Sequence, residues 1–212
     1  MKKFLLLPAA LAFAVAAPFH SSAKDDHSGH SHAEIGKPAP AFSLEGSDGK
    51  THSLADSKGK IVVLEWTNPT CPFVQKYYES GEMQKLQKAA VEKGIVWYRI
   101  NSGAPGRDGT QTVQQLGAYD KTHGVNATAS LVDPNGETGH AYEARTTPHL
   151  YVIAADGNLA YSGAIDNIPT PNKSDIAKAK NYVAQALEEL AAGKPVSEPA
   201  TKPYGCSVKY GK

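Results

Sequence analysis

Cysteine occurs only twice in this chain of 212 residues, and the two sit in unequal settings. Cys71 lies in Asn68-Pro69-Thr70-Cys71-Pro72-Phe73-Val74, directly after an apolar run that ends in Trp66. Cys206 lies in Tyr204-Gly205-Cys206-Ser207, close to the C-terminus. Proline favours the first position of a helix, so Pro72 makes Cys71 the helix N-cap. A sulfur there is near the unpaired amide hydrogens of Phe73 and Val74, at the positive end of the helix dipole. Such surroundings favour the thiolate, which is the nucleophile. Thiolate attack on a peroxide gives a sulfenic acid that condenses with a nearby thiol. Cys71 is therefore the candidate nucleophile and Cys206 the candidate resolving thiol, within one chain or across a homodimer. Two alternatives stay open: an inert, buried Cys71, or a structural staple. A staple closing so long a loop would stabilise by about 5 kcal/mol from chain entropy.

Two other features bear on chemistry. Glu65 falls in an apolar strand, where an unpaired carboxylate is costly to bury; it has a function, pairs with a lysine, or points outward. His27, His30 and His32 form a tract that could hold copper or zinc loosely, although imidazoles without fixed geometry make a weak site. A solvated leader is the simpler reading. No Gly-x-Gly-x-x-Gly motif calls for a flavin or nicotinamide, and no cofactor is expected.

The first residues read as an export signal. Lys2 and Lys3 precede the apolar stretch Phe4 to Ala17, and Ser21-Ser22-Ala23 fits small-x-small cleavage. That stretch is too short to span a bilayer, which takes roughly 20 residues. The reading is a periplasmic protein, with a signal peptide over 1–23 and a His-rich disordered leader over 24–34. Losing two lysines takes the formal charge from +1 to −1, which gives no case for nucleic acid or an anionic membrane.

The elements that must position the cysteines follow from periodicity. Ile61 to Leu64 is an uninterrupted β-branched run, as in a strand buried on both faces. Pro72 opens a helix that Ser80-Gly81 interrupts and that resumes to Gly94. Ile95 to Ile100 is a second central strand, followed by a Gly/Pro-rich loop over Ser102 to Gly109 and a helix from Thr110 to about His123. Ala129 to Val132 is a strand, and a helix covers roughly Thr138 to Ala144. Leu150 to Ile153 and Leu159 to Tyr161 form a hairpin about Asp156-Gly157. Ala41 to Leu44 begins an earlier hairpin. The last helix carries Ile176, Val183, Leu187 and Leu190 on one face, with Asn172 as cap and Gly193 as stop. Beyond Pro195 the chain is proline-rich and polar, hence an extended arm. Strands alternating with helices make an α/β domain over 35–194 and a C-terminal tail over 195–212.

Three segments carry a resemblance to known proteins: Ile35-Gly36-Lys37-Pro38-Ala39-Pro40-Ala41-Phe42-Ser43-Leu44, Leu64 to Val74, and Arg145-Thr146-Thr147-Pro148-His149. In this order they resemble the thioredoxin-fold redoxins, most of all the exported peroxiredoxin-like (alkyl hydroperoxide reductase/thiol-specific antioxidant) branch, in which the Gly-Cys-Ser-Val-Lys-Tyr tail also recurs. The resemblance implies a thioredoxin-like fold with a central mixed β-sheet flanked by helices. It implies a thiol peroxidase or thiol-disulfide oxidoreductase acting on a hydroperoxide or a protein disulfide, with electrons from a thioredoxin-like or membrane thiol donor. It implies a cis bond at Thr147-Pro148 facing Cys71, with Glu65 as a proton shuttle and Arg145 supplying charge to the sulfur. Thr67 and Asn68 would hydrogen-bond peroxide or sulfur, and His149 would line the site. The chain departs from both parent patterns: Val74 replaces the second cysteine of Cys-x-x-Cys, and Asn68 and Leu64 replace the peroxiredoxin signature residues. A metal-handling protein and a non-catalytic module with a permanent disulfide are the competing classes.

Overall fold

A computed structural model describes Met1 and residues 32–211. The expected signal peptide beyond Met1, and His27 and His30 of the leader, lie outside the described residues. The two apolar runs form β3 (Val62–Trp66) and β4 (Val96–Asn101), each buried along its whole length. They pair in parallel, which sets Glu65 opposite Arg99. β5 (Ala129–Val132) continues the parallel core beyond β4. β7 (His149–Ile153) joins the far side of β3 antiparallel, and β8 (Leu159–Gly163) closes the hairpin. β1 (Ser43–Gly46) and β2 (Thr51–Ser53) form a hairpin on the edge of β5. The mixed sheet runs β2-β1-β5-β4-β3-β7-β8.

Side chains of β3 alternate between two core layers, as strand geometry requires. Val63 packs with Trp97, Val152 and Tyr161 against Val74 and Tyr77 of α1 (Pro72–Ser80), Met83 of α2 (Glu82–Glu92) and Val183 of α5 (Tyr182–Ala191). Val62, Leu64 and Trp66 face the other way, onto Phe42, Ile100, Tyr142 and Tyr151. α3 (Val113–His123) starts at a capping box between Thr112 and Gln115, and α4 (Glu137–Ala141) is a single short turn before the site. Gly81, at φ +79°, lets the chain turn between α1 and α2 where another residue would be strained.

One expectation needs correction. The last helix does not begin at Asn172. Residues Lys173–Lys178 form a 3-10 turn, Ala179 is extended, and α5 begins behind Asn181, whose side chain accepts from the Ala184 amide at 2.9 Å. The tail runs extended along the domain. Ser162 donates its amide to the Pro199 carbonyl (3.0 Å), Thr201 returns a bond to Ser162 (3.1 Å), and Cys206–Ser207 (β9) pair with Thr146–Thr147 (β6). Backbone hydrogen bonds to the domain hold it in the absence of a continuous apolar face.

A buried polar cluster sits in the helix-covered layer. The Glu65 carboxylate accepts from Tyr78 Oη (2.7 Å), Gln87 Nε2 (3.0 Å) and Trp97 Nε1 (2.8 Å), with Arg99 Nε 4.0 Å away. Burial raises the Glu65 pKa above the usual carboxylate range against the pull of Arg99 and these donors. Three buried donors converge on this one carboxylate, with the Arg99 guanidinium beside it. Glu65→Leu should therefore lower stability in urea unfolding by about 3–5 kcal/mol, the cost of breaking a buried charge set. A loss below about 1 kcal/mol would show that the cluster relaxes without it.

Candidate active site

The turn from β3 into α1 is built by Asn68. Its Oδ1 accepts the Thr70 amide at 2.8 Å, its Nδ2 donates to the Asp108 carbonyl at 3.1 Å, and its own carbonyl accepts the Cys71 amide at 3.2 Å. Gly109 closes over this amide so tightly that a Cβ there would lie 2.0 Å from Asn68 Oδ1. The Gly/Pro-rich loop thus buttresses the turn, and Pro72 follows as the first helical residue with Cys71 as N-cap.

The Cys71 sulfur does not use the helix amides as expected. It makes no capping hydrogen bond, and the Val74 amide is taken by the Cys71 carbonyl at 3.0 Å. Instead Cys71 Sγ donates to the Thr147 carbonyl at 2.9 Å, reaching across to the residue before Pro148. The Thr147-Pro148 bond is cis. Thr147 is also the residue that faces Cys206 across the β6–β9 ladder. Both cysteines are free, with Cys71 1% exposed and Cys206 half-buried. The Cys206 pKa is pushed up to about 12, first by burial and then by the adjacent Cys71, as hydrogen-bond partner and as charge. Cys206 therefore keeps its proton beside the Cys71 sulfur. The chain approaches Thr147 through Gly205, where a Cβ would lie 2.0 Å from the Thr147 carbonyl oxygen. No side chain fits there without lifting the tail off the site.

Of the sequence candidates, Cys71, Cys206, Thr147 and Pro148 converge. Asn68 is buried and shapes the turn with both ends of its amide engaged. Thr67 points its hydroxyl toward Arg99 Nη2 at 3.5 Å. Glu65 is spent on Tyr78, Gln87, Trp97 and Arg99, none of them Cys71. Arg145 is not at the site: its side chain is exposed, pairing with Glu143 at 3.1 Å. The cation behind the Cys71 turn is the buried Arg99, which bonds Asp120 and Ser130 and stacks between Tyr78 and Tyr119. Sequence reasoning passed over it, although an arginine inside Val96-Trp97-Tyr98-Arg99-Ile100, beside a strand carrying Glu65, was a signal. His32 lies 3.9 Å from Glu143, and among the described residues no three His, Cys, Asp or Glu cluster as metal ligands.

His149 is buried, with Nδ1 3.0 Å from Tyr151 Oη and Nε2 without a hydrogen-bond partner. Burial, reinforced by the charge of Arg145, lowers its pKa to about 3.

Comparison with known proteins agrees with this geometry. The chain has a thioredoxin-like fold: it superposes on a structure of a hypothetical protein from Sinorhizobium meliloti with a TM-score of 0.73 at 23% identity, covering 84% of this chain and 95% of that one. An uncharacterised conserved protein from Geobacillus kaustophilus matches with a TM-score of 0.70 at 28% identity over 84% and 93% of the two chains. The thiol peroxidase of Mycobacterium tuberculosis is 27% identical over 165 residues, 74% of this chain and 88% of the relative. The site and fold together define a peroxiredoxin-like redoxin, a thiol-dependent oxidoreductase. Residues 35–162 match the AhpC/TSA family model, and the chain belongs to that family.

The His149 geometry has a measurable consequence. A base with a depressed folded-state pKa contributes full stability above its unfolded value near 6.5, and that contribution is lost as pH falls toward 3. Urea-unfolding stability should fall over this window by up to about 1.4 kcal/mol per pH unit from this one group. His149→Leu should flatten that slope; an unchanged slope would mean that the imidazole takes up its proton in the folded state.

Proposed function

We propose that this protein is an exported two-cysteine thiol peroxidase in which Cys71 attacks and Cys206 resolves. The observation that carries the reading is the meeting of the two free thiols at Thr147, one hydrogen-bonded to its carbonyl and the other paired to its strand. Cys71 would attack the terminal oxygen of a hydroperoxide. The O–O bond breaks, the sulfur is oxidised by two electrons to a sulfenic acid, and the alcohol or water leaves with a proton. Cys206 sulfur then attacks the sulfenic sulfur. The S–O bond breaks, the Cys206 proton departs with that hydroxyl as water, and the Cys71–Cys206 disulfide remains. An external dithiol, thioredoxin-like or membrane-embedded, returns both cysteines to thiols and is itself oxidised to a disulfide. Lys2, Lys3 and the apolar run after them support export; among the described residues no helix is long and apolar enough to cross a membrane.

A second reading is disulfide exchange with protein partners. It draws on the β6 edge, which already pairs with an extended, cysteine-bearing segment, as an incoming strand would. Both readings place Cys71 at the centre. With thioredoxin, thioredoxin reductase and NADPH as the probe reductant, Cys71→Ser should abolish hydrogen peroxide turnover. Cys206→Ser should consume no more than two equivalents per chain, ending at the sulfenic or sulfinic acid, and stop. Turnover in the Cys71 variant would remove the proposal, and undiminished cycling in the Cys206 variant would remove the resolving role.

A further inference from the structure

The tail is anchored to the domain on both sides of Cys206, and one anchor reaches the helix that Cys71 caps. Tyr204 donates its hydroxyl to Asp166 Oδ1 and sets its ring edge against Phe73, 5.7 Å between centroids. Asp166 is buried and collects further donors: Lys76 Nζ at 3.1 Å, the Tyr77 hydroxyl, and the Ile168 amide at 2.8 Å. Phe73, Lys76 and Tyr77 all belong to α1, so Asp166 ties the tail to the body of that helix. Lys76 and Asp166 have no solvent-exposed side-chain surface. A pair held that dry is costly unless every lone pair is satisfied, and Tyr204 supplies one of the bonds that satisfy it. Burial and the Asp166 carboxylate push the Tyr204 pKa up, so its hydroxyl stays a donor at any physiological pH. Upstream, Thr201 accepts the Ala164 amide at 3.0 Å and meets Tyr161 Oη at 2.6 Å. Downstream, Val208 donates to the Arg145 carbonyl at 3.1 Å.

We infer that Tyr204 and Asp166 form a latch that positions Cys206 for the resolving step. The inference rests on the two-cysteine reading above. Tyr204 is two residues from Cys206 and packs one turn into the helix whose N-cap is Cys71, so it sets the tail's position against the same element that presents the nucleophile. Neither residue touches the reacting sulfurs; both act through the placement of Cys206. The latch matters most after Cys71 has become a sulfenic acid, when Cys206 competes with a second peroxide. If Cys206 is displaced, that peroxide oxidises the sulfenic acid to a sulfinic acid, its own O–O bond breaking and water leaving, and the chain is inactivated.

The test is Tyr204→Phe, which removes only the hydroxyl and keeps the ring against Phe73. The reduced variant is reacted with graded hydrogen peroxide, and its intact mass and disulfide content are compared with the wild type. The first oxidation of Cys71 should keep its rate, while the ratio of sulfinic acid to disulfide rises about tenfold, on the scale of losing one hydrogen bond to a charged group. Hydrogen exchange at Ser207 and Val208 should quicken in parallel. An unchanged ratio overturns the latch whatever the exchange shows, and a slowed first oxidation overturns it as well, because the residue would then act on attack. If the wild type forms no Cys71–Cys206 disulfide, the peroxidase reading itself has failed. The latch is then read by N-ethylmaleimide alkylation of buried Cys71, faster in the variant if the latch holds the tail closed and equal if it does not.

Discussion

A two-residue antiparallel ladder, Thr146–Thr147 against Cys206–Ser207, is the constraint on which the site depends. By itself so short a ladder is worth little. It persists because the chain on either side is fixed: Thr201 and Tyr204 before it, Val208 and Tyr210 after it, the last donating to the Ala144 carbonyl at 2.7 Å. Gly205 is the one position where the tail passes the Thr147 carbonyl too closely for any side chain. On the proposed two-cysteine cycle, these restraints would leave Cys206 little conformational freedom to lose on reacting with Cys71, which is how a remote thiol attains a high effective concentration.

The polar cluster beneath the site works on a different scale. Tyr78, Gln87 and Trp97 donate to Glu65 in the layer under α1 and α2. Arg99 Nε lies 4.0 Å from that carboxylate without a hydrogen bond of its own, and the Arg99 guanidinium carries the link onward to Thr67 and Asp120. The cluster lies between β3, β4 and the two helices, and it meets the Cys71 turn through the Thr67 hydroxyl, 3.5 Å from Arg99 Nη2.

Much of this was legible in the residues themselves because the signals were local. Pro72 announced the first helical position, Gly81 the break, and two β-branched or aromatic runs the buried strands, while the start of α3, read at Thr110, falls at Val113 behind the Thr112 cap. The Thr147-Pro148 pairing opposite Cys71 came from resemblance, and the structure places it there. What failed was long-range. Arg99 stands inside a buried strand and Arg145 in an exposed segment paired with Glu143, and the parallel register of β3 on β4 is what sets Arg99 opposite Glu65. Asn172 and Asn181 are both plausible caps, and the packing of Val183 and Leu187 onto the sheet selects the second. The anchoring of the tail could not be read from its composition, since its partners are amides, carbonyls, hydroxyls and carboxylates scattered from Ala104 to Glu189.

The central claim is that Cys206 stands ready to capture oxidised Cys71 in the same chain. The most direct measurement is rapid quenching of the fully reduced protein after one equivalent of hydrogen peroxide, with disulfides mapped by mass spectrometry. A Cys71–Cys206 bond that forms within single chains, at a rate independent of protein concentration, is the expected result. A persistent sulfenic acid, or disulfides found only between chains, would contradict it.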